Sequence, residues 1–156
     1  MTKGSSKESI LEHKKVISEL MNVVVIELLN RAAVHDNAKM EEPELSLFDE
    51  YTPKLATSIY GSDEYKQFLK ELHPALEHHY ARYRHHPEHF SDGCKGMNLL
   101  DIIEMLVDWK ASSLRHNDGN ILKSIEINKD RFLLNQVTLY DILKNSVALF
   151  EDYNNV

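Results

Sequence analysis

The sequence predicts an all-α single domain, and three observations predict it. Strict alternation of apolar and polar residues, the signature of a half-buried strand, hardly occurs. Apolar residues instead recur at three- and four-residue spacings through most of the chain. The breaks between these stretches are short, with no repeat, low-complexity tract or Gly/Ser linker to divide the chain. The 156 residues amount to one domain. A chain of this size buries about 70% of its unfolded surface, enough for a core without disulfides or a structural metal.

The first helix is expected from about Ser6 to Ala33, with Ile17, Leu20, Val24, Glu27 and Leu28 along one stripe. The run Val23-Val24-Val25-Ile26 is β-branched, but no turn signal flanks it, so it stays within this helix. A second stretch starts near His35. Pro43 suits the first turn of a short helix to Tyr51, and Thr52-Pro53 restarts the chain. Gly61-Ser62-Asp63 is a break with a capping residue. A long helix follows from about Asp63 to His85, bent at Pro74. Ser91 to Gly96 is a loop. A strong helix from about Asn98 to Arg115 carries Leu99, Ile102, Ile103, Leu106 and Trp109. After the Asn117-Asp118-Gly119-Asn120 turn, two helices remain, about Ile121 to Phe132 and Val137 to Phe150. The expectation is a bundle of six or seven helices, with residues 1–6 disordered.

Composition excludes several classes. Apolar residues make up 42% and charged residues 28%, with only five glycines and four prolines, which excludes collagen and a disordered tail. Cys94 is the single cysteine, so neither an internal disulfide nor a cysteine-based zinc cluster can form. Met1 to Ser9 is polar and lacks a signal core, and no apolar run is long enough to span a membrane. A cytoplasmic location is expected. The net charge of −7 disfavours general binding to duplex DNA, which rests on neutralising phosphates.

Nine histidines are present, and six of them lie between His73 and His89. Histidine is the commonest transition-metal ligand and a frequent acid–base group. His13 precedes Ile17, Leu20 and Val24 by 4, 7 and 11 residues, which predicts a place on the buried face of the first helix. There it is either a core histidine bonded to a carbonyl or a ligand. His35-Asp36 can offer nitrogen and oxygen to a metal from one backbone position, with Lys39 one turn on; alternatively Asp36 is a helix cap and His35 surface. Leu72, Leu76, His79, Tyr83 and His86 share one helical face, which turns His79 inward, while His78, Arg82, His85 and His89 share the next. Pro87 disfavours helix at His86, so His85, His86 and His89 can lie on a loop at the edge of a site. Arg82 and Arg84 are forked donors suited to phosphate. Asp101, Glu104, Asp108, Ser112 and Arg115 form one polar stripe opposite Ile102, Leu106 and Trp109. Such a stripe is a solvent face, or it borders a polar pocket that Asp108 completes.

His13, then His35-Asp36 with Lys39, then His78-His79, then Asp108 resembles, in order, the HD-domain superfamily of metal-dependent phosphohydrolases. His35-Asp36-x-x-Lys39 is similar to that family's His-Asp-x-x-Lys form, and Asp108-Trp109-Lys110-Ala111 to its terminal aspartate. From about Leu11 to Phe132 the chain also resembles a family of small bacterial and phage proteins, through Leu11-Glu12-His13, Glu41-Glu42-Pro43-Glu44, Tyr60 to Tyr65, His78 to Phe90 and Arg115 to Gly119. The resemblance implies an HD-like helical fold with one or two divalent ions, drawn from Mn, Fe, Zn, Ni, Co or Mg. It implies metal ligands among His13, His35, Asp36, His79, His85, His86 and Asp108. It gives acid–base or electrostatic roles to Lys39, His79 and Asp108, and phosphate contacts to Arg82, Arg84 and Arg115. The spacing from His13 to His35 is short for the superfamily. No Gly-Tyr-Pro follows the histidine pair, so a cyclic dinucleotide is not the expected substrate.

The expected function is hydrolysis of a nucleotide or other small phosphoester, with a homodimer as a compatible assembly. The alternatives are a non-catalytic metal- or nucleotide-binding regulator acting on a protein partner, and a structural bundle with a surface histidine cluster.

Overall fold

The computed structural model describes residues 6–59, 62–114, 120–138, 141–142, 145 and 149–150. Five α-helices lie among them: α1 (Ser6–Val34), α2 (Glu44–Thr57), α3 (Asp63–Arg82), α4 (Leu99–Ser113) and α5 (Ile121–Arg131). Short 3₁₀ turns fill most of the connections, and no strand occurs among the described residues. The all-helical class therefore holds. Half of the residues of the expected helix over Val137 to Phe150 lie outside the described set, as does Arg115.

Three boundaries differ from the sequence reading. The stretch after His35 is a 3₁₀ turn, Asn37–Met40, rather than a helix. α2 runs through Pro53 without ending, while α3 continues through Pro74 as expected. Proline deprives the carbonyl four residues earlier of its partner. Here those carbonyls belong to Asp49 and Lys70, both exposed, so water can satisfy them. The two helices also form the most extensively packed pair in the molecule. Finally, α3 ends at Arg82, three residues early: Tyr83 is extended, and His86 is extended ahead of Pro87.

Caps fix the helix starts. The Ser62 hydroxyl accepts from the Tyr65 amide at the head of α3. Asn98 accepts from the Leu100 and Asp101 amides, while Asp101 Oδ2 accepts from the Asn98 amide at 2.9 Å, a complete capping box on α4. Asn120 caps α5.

The core lies under α4, where Cys94, Met97 and Met105 are buried against Phe90, Ile102, Trp109 and Phe132. Trp109 stacks on Phe132 with centroids 6.0 Å apart. Burial pushes the Cys94 thiol up to about 11, with Glu88 adding to it, so this cysteine is a packing residue. α1 contains no buried residue, and Ile17 on its expected inner stripe is 42% exposed.

Candidate metal centre

The α1–α4 corner is organised by one carboxylate. Asp101 is fully buried. Its Oδ1 accepts from Arg31 Nη1 of α1 at 2.7 Å and from Arg84 Nε at 3.0 Å, and its Oδ2 accepts from Arg84 Nη2 at 2.9 Å. This clamp fixes α1, α4 and the loop after α3 together. Arg31 also meets Glu27 and Glu104, at 2.9 and 3.3 Å.

The turn that leaves α1 presents His35 and Asp36. Asp36 adopts a left-handed backbone, φ 56°, a conformation aspartate tolerates better than most residues. The Ala38 amide donates to the Tyr83 hydroxyl at 2.7 Å, which pins this turn to the end of α3. Because α3 stops at Arg82, the chain swings back, and His85 becomes buried beside His79 rather than lying on the outer face with Arg82.

Two groups of ligand-type atoms result. Asp36, His79, His85 and His86 each place one such atom within 4.8 Å of the others, and His35, His85 and Glu104 do the same. His79 Nε2 lies 3.1 Å from Asp36 Oδ1 and 2.9 Å from His86 Nε2. His79 Nδ1 lies 2.8 Å from Glu44 Oε2, and His78 Nδ1 lies 2.7 Å from Glu44 Oε1. Glu44 is fully buried at the start of α2. As a carboxylate it accepts from both imidazoles, which orients the His79 ring with Nε2 facing Asp36.

The second group shares this geometry. His35 Nδ1 donates to Glu104 Oε1 at 3.0 Å. Its Nε2 faces Asp36 Oδ2 at 3.7 Å and Asp108 Oδ1 at 3.8 Å. His85 Nε2 is 3.6 Å from Asp36 Oδ1. Separations above 3.5 Å are too long for hydrogen bonds, yet an ion with bonds of about 2.0–2.2 Å spans them. Asp36 Oδ1 and both ring nitrogens of His85 are buried without a hydrogen bond. Orphaned buried polar atoms are rare and costly, so atoms of this kind converging on one point fit a metal ion.

Electrostatics agree with that fit. Burial pushes Asp36 up, but the adjacent His79 ring and the hydrogen bond from Lys39 outweigh it and hold the carboxyl far below its ordinary value. Glu104 is held down in the same way, chiefly by His35 and His85 against its burial. Burial pushes Asp108 up, but the facing His35 imidazole outweighs it and lowers the carboxyl. The facing Asp108 carboxylate and the hydrogen bond to Glu104 raise His35 to about 10. Burial, then the charges of His85 and His79, push His86 down to about 3, which keeps it neutral near pH 7.

The structure thus brings His35, Asp36, His79, His85, His86 and Asp108 into one cluster. His13 is not brought there. It is exposed on α1, 22 residues before His35, about 33 Å away along the helix at 1.5 Å per residue. The expected burial of its face fails because the first turns of α1 bury nothing. Lys39 Nζ bonds Asp36 Oδ2 at 2.6 Å. Arg84 is committed to Asp101, Arg82 is exposed, and Arg115 lies outside the described residues. The acidic stripe of α4 turns inward at Asp101, Glu104 and Asp108, while Leu106 is 44% exposed. His73 and His89 stand apart, His73 near Glu77 and His89 Nδ1 donating to the Tyr80 carbonyl.

Sequence reasoning missed Glu44 and Glu104 as partners of the histidines. Glu104 had a signal in the periodic acidic stripe. Glu44 had none, since its partner His79 is 35 residues away and only the fold joins them.

Fold and site together define a helical protein with a buried histidine–carboxylate cluster of the kind that can hold a metal ion. The chain belongs to a family of unknown function, DUF5662, whose sequence profile matches residues 2–150. No curated protein and no solved structure matches it.

Proposed function

We propose that this chain is a metal-dependent phosphohydrolase of HD-like type, acting on a nucleotide or another small phosphoester. The observation that carries the proposal is the convergence of Asp36, His79, His85 and His86, with buried atoms of Asp36 and His85 left without hydrogen bonds. Asp36 stands between both ligand groups, with His35, Glu104 and Asp108 on its other side. This donor set, rich in imidazole, suits zinc, iron, nickel, cobalt or manganese better than magnesium. When bound, such an ion supplies Lewis acidity toward a phosphoryl oxygen and toward water.

The protein's own groups supply the rest. Glu44 orients His79, and Glu104 orients His35. His86, neutral near pH 7, keeps a lone pair available as a ligand. Lys39 provides positive charge at the Asp36 edge.

The test is hydrolysis of a phosphoester panel by metal-loaded protein, with metal content measured by mass spectrometry. Asp36→Ala is expected to lose both metal and turnover, and Asp108→Ala to lose turnover. Undiminished turnover in either variant would overturn the proposal.

A second reading is a non-catalytic metal- or nucleotide-binding regulator. It is favoured by the scarcity of uncommitted cations: Lys39 is tied to Asp36, Arg84 to Asp101, and Arg31 to three carboxylates. Nucleotide binding without product across the same panel would support it.

A further inference from the structure

Beside the cluster, α1 and α4 border a cleft of about 440 Å³, within the range of small-molecule sites. Its walls are aliphatic: Leu28 and Ala32 from α1, and Ile103, Val107 and Ala111 from α4. Each set recurs every four residues, so each helix presents a continuous apolar stripe. The polar lining is confined to Arg31, His35, Glu104 and Asp108. Three of those four belong to the candidate metal centre or touch it, since His35 Nδ1 meets Glu104 and His35 Nε2 faces Asp108. The cleft is therefore continuous with the site.

Charge decides what can lie in it. Arg31 and His35 are the basic side chains lining the cleft among the described residues; Glu27, Asp101 and Glu104 already surround Arg31, and Glu104 accepts from His35. The other polar groups lining it are the carboxylates of Glu104 and Asp108. A second phosphate extending into this cleft would meet those carboxylates and basic groups already paired with carboxylates. An uncharged apolar group would bury against five aliphatic side chains.

We propose that the α1–α4 cleft receives the apolar alcohol portion of a phosphomonoester whose phosphate meets the histidine–carboxylate cluster. This rests on the hydrolase reading and narrows its substrate class, away from nucleoside di- and triphosphates. In the reaction the oxygen of water bonds to phosphorus and the phosphorus–oxygen bond to the alcohol breaks. The departing alkoxide takes up the proton that water gives up, and the neutral alcohol is left in the cleft.

The experiment is calorimetric binding of non-hydrolysable methyl-, butyl- and hexylphosphonate to zinc-loaded protein, with wild type beside Val107→Asp. Hydrolysis of methyl and hexyl phosphate is followed in parallel. Burial of each added methylene tightens binding by about fourfold at most. The expected result is at least a tenfold gain from methyl- to hexylphosphonate, lost in V107D while its zinc content stays at the wild-type level. Equal affinity across the series, or tighter binding of pyrophosphate than of hexylphosphonate, overturns the proposal. So does self-association that V107D abolishes without changing phosphonate affinity, because a second copy then covers this face. Turnover with no preference for hexyl phosphate overturns the cleft assignment and leaves the hydrolase standing. Length-dependent binding without turnover supports the cleft and defeats the hydrolase.

Discussion

Glu44 shows how one residue can set the chemistry of others. Its carboxylate is fully buried and bonds two imidazoles, so its removal strands both. Carboxylates behind metal-binding histidines commonly carry 10–100-fold in metal affinity. Glu44→Ala is accordingly expected to weaken zinc binding by about 10–100-fold, with the protein still helical by circular dichroism. Glu44→Gln keeps an acceptor for one imidazole and should fall between that variant and wild type. A competition titration against a chromophoric chelator measures both, and unchanged affinity in E44A would remove Glu44 from the site. At this scale the sequence showed residue types but not partnerships. His79 was legible as an inward residue because Leu72, Leu76 and Tyr83 share its face. His85 was not, because its burial depends on where α3 stops. His13 misled because its offsets from Ile17, Leu20 and Val24 fit an inner stripe, while α1 is apolar around much of its circumference and exposes Met21, Val25, Ile26 and Leu29. Periodicity alone cannot choose a face on such a helix.

At the scale of elements, α4 carries the organisation. Its acidic stripe looked equally like a solvent face or a pocket wall, and Asp101 settles which. Asp101 caps its own helix and binds Arg31 and Arg84, a buried ionic group satisfied on both oxygens. Removing one partner of such a group leaves uncompensated buried charge and costs about 3–5 kcal/mol. Asp101→Ala should therefore lower unfolding free energy by about that amount in chelator-treated protein. Asp101→Asn, which keeps the cap acceptor, should lose less. Urea unfolding followed by far-UV signal gives both values, and a loss in D101A below about 1 kcal/mol would show the clamp to be a solvated surface pair. Helix identities were largely legible from periodicity and from the capping residues Ser62, Asn98 and Asn120. Helix ends near prolines were not. Whether Pro53 and Pro74 break a helix depends on what receives the freed carbonyl, and that is a property of the packed α2–α3 pair.

For the whole molecule, the cluster is a liability until something fills it. Seven side chains from the α1 turn, α3, its following loop and α4 converge there: His35, Asp36, His79, His85, His86, Glu104 and Asp108. An ion that binds only the folded chain stabilises it by about 2.7 kcal/mol at a hundred times its dissociation constant. For a chain of this length that corresponds to a melting shift of about 5–11 °C. Saturating zinc or manganese should raise the melting temperature by this order, chelator should reverse the rise, and Asp36→Ala should abolish it. The shift should also grow with pH. The facing Asp108 carboxylate and the hydrogen bond to Glu104 raise His35 to about 10, so in the metal-free fold it is protonated at pH 7 and must release that proton to offer a lone pair. The sign follows from that competition: as pH rises, protons vacate the ligands and apparent metal affinity increases. Before metal is added, the same raised His35 contributes stability that is present in full below its unfolded value of 6.5 and is lost as pH climbs toward 10. Metal should thus stabilise more at pH 8.5 than at pH 6.5, both because binding tightens and because the metal-free reference weakens. Scanning calorimetry at both pH values, with and without metal, decides it. An equal shift at the two values, or one that survives in D36A, would place any bound ion away from this cluster.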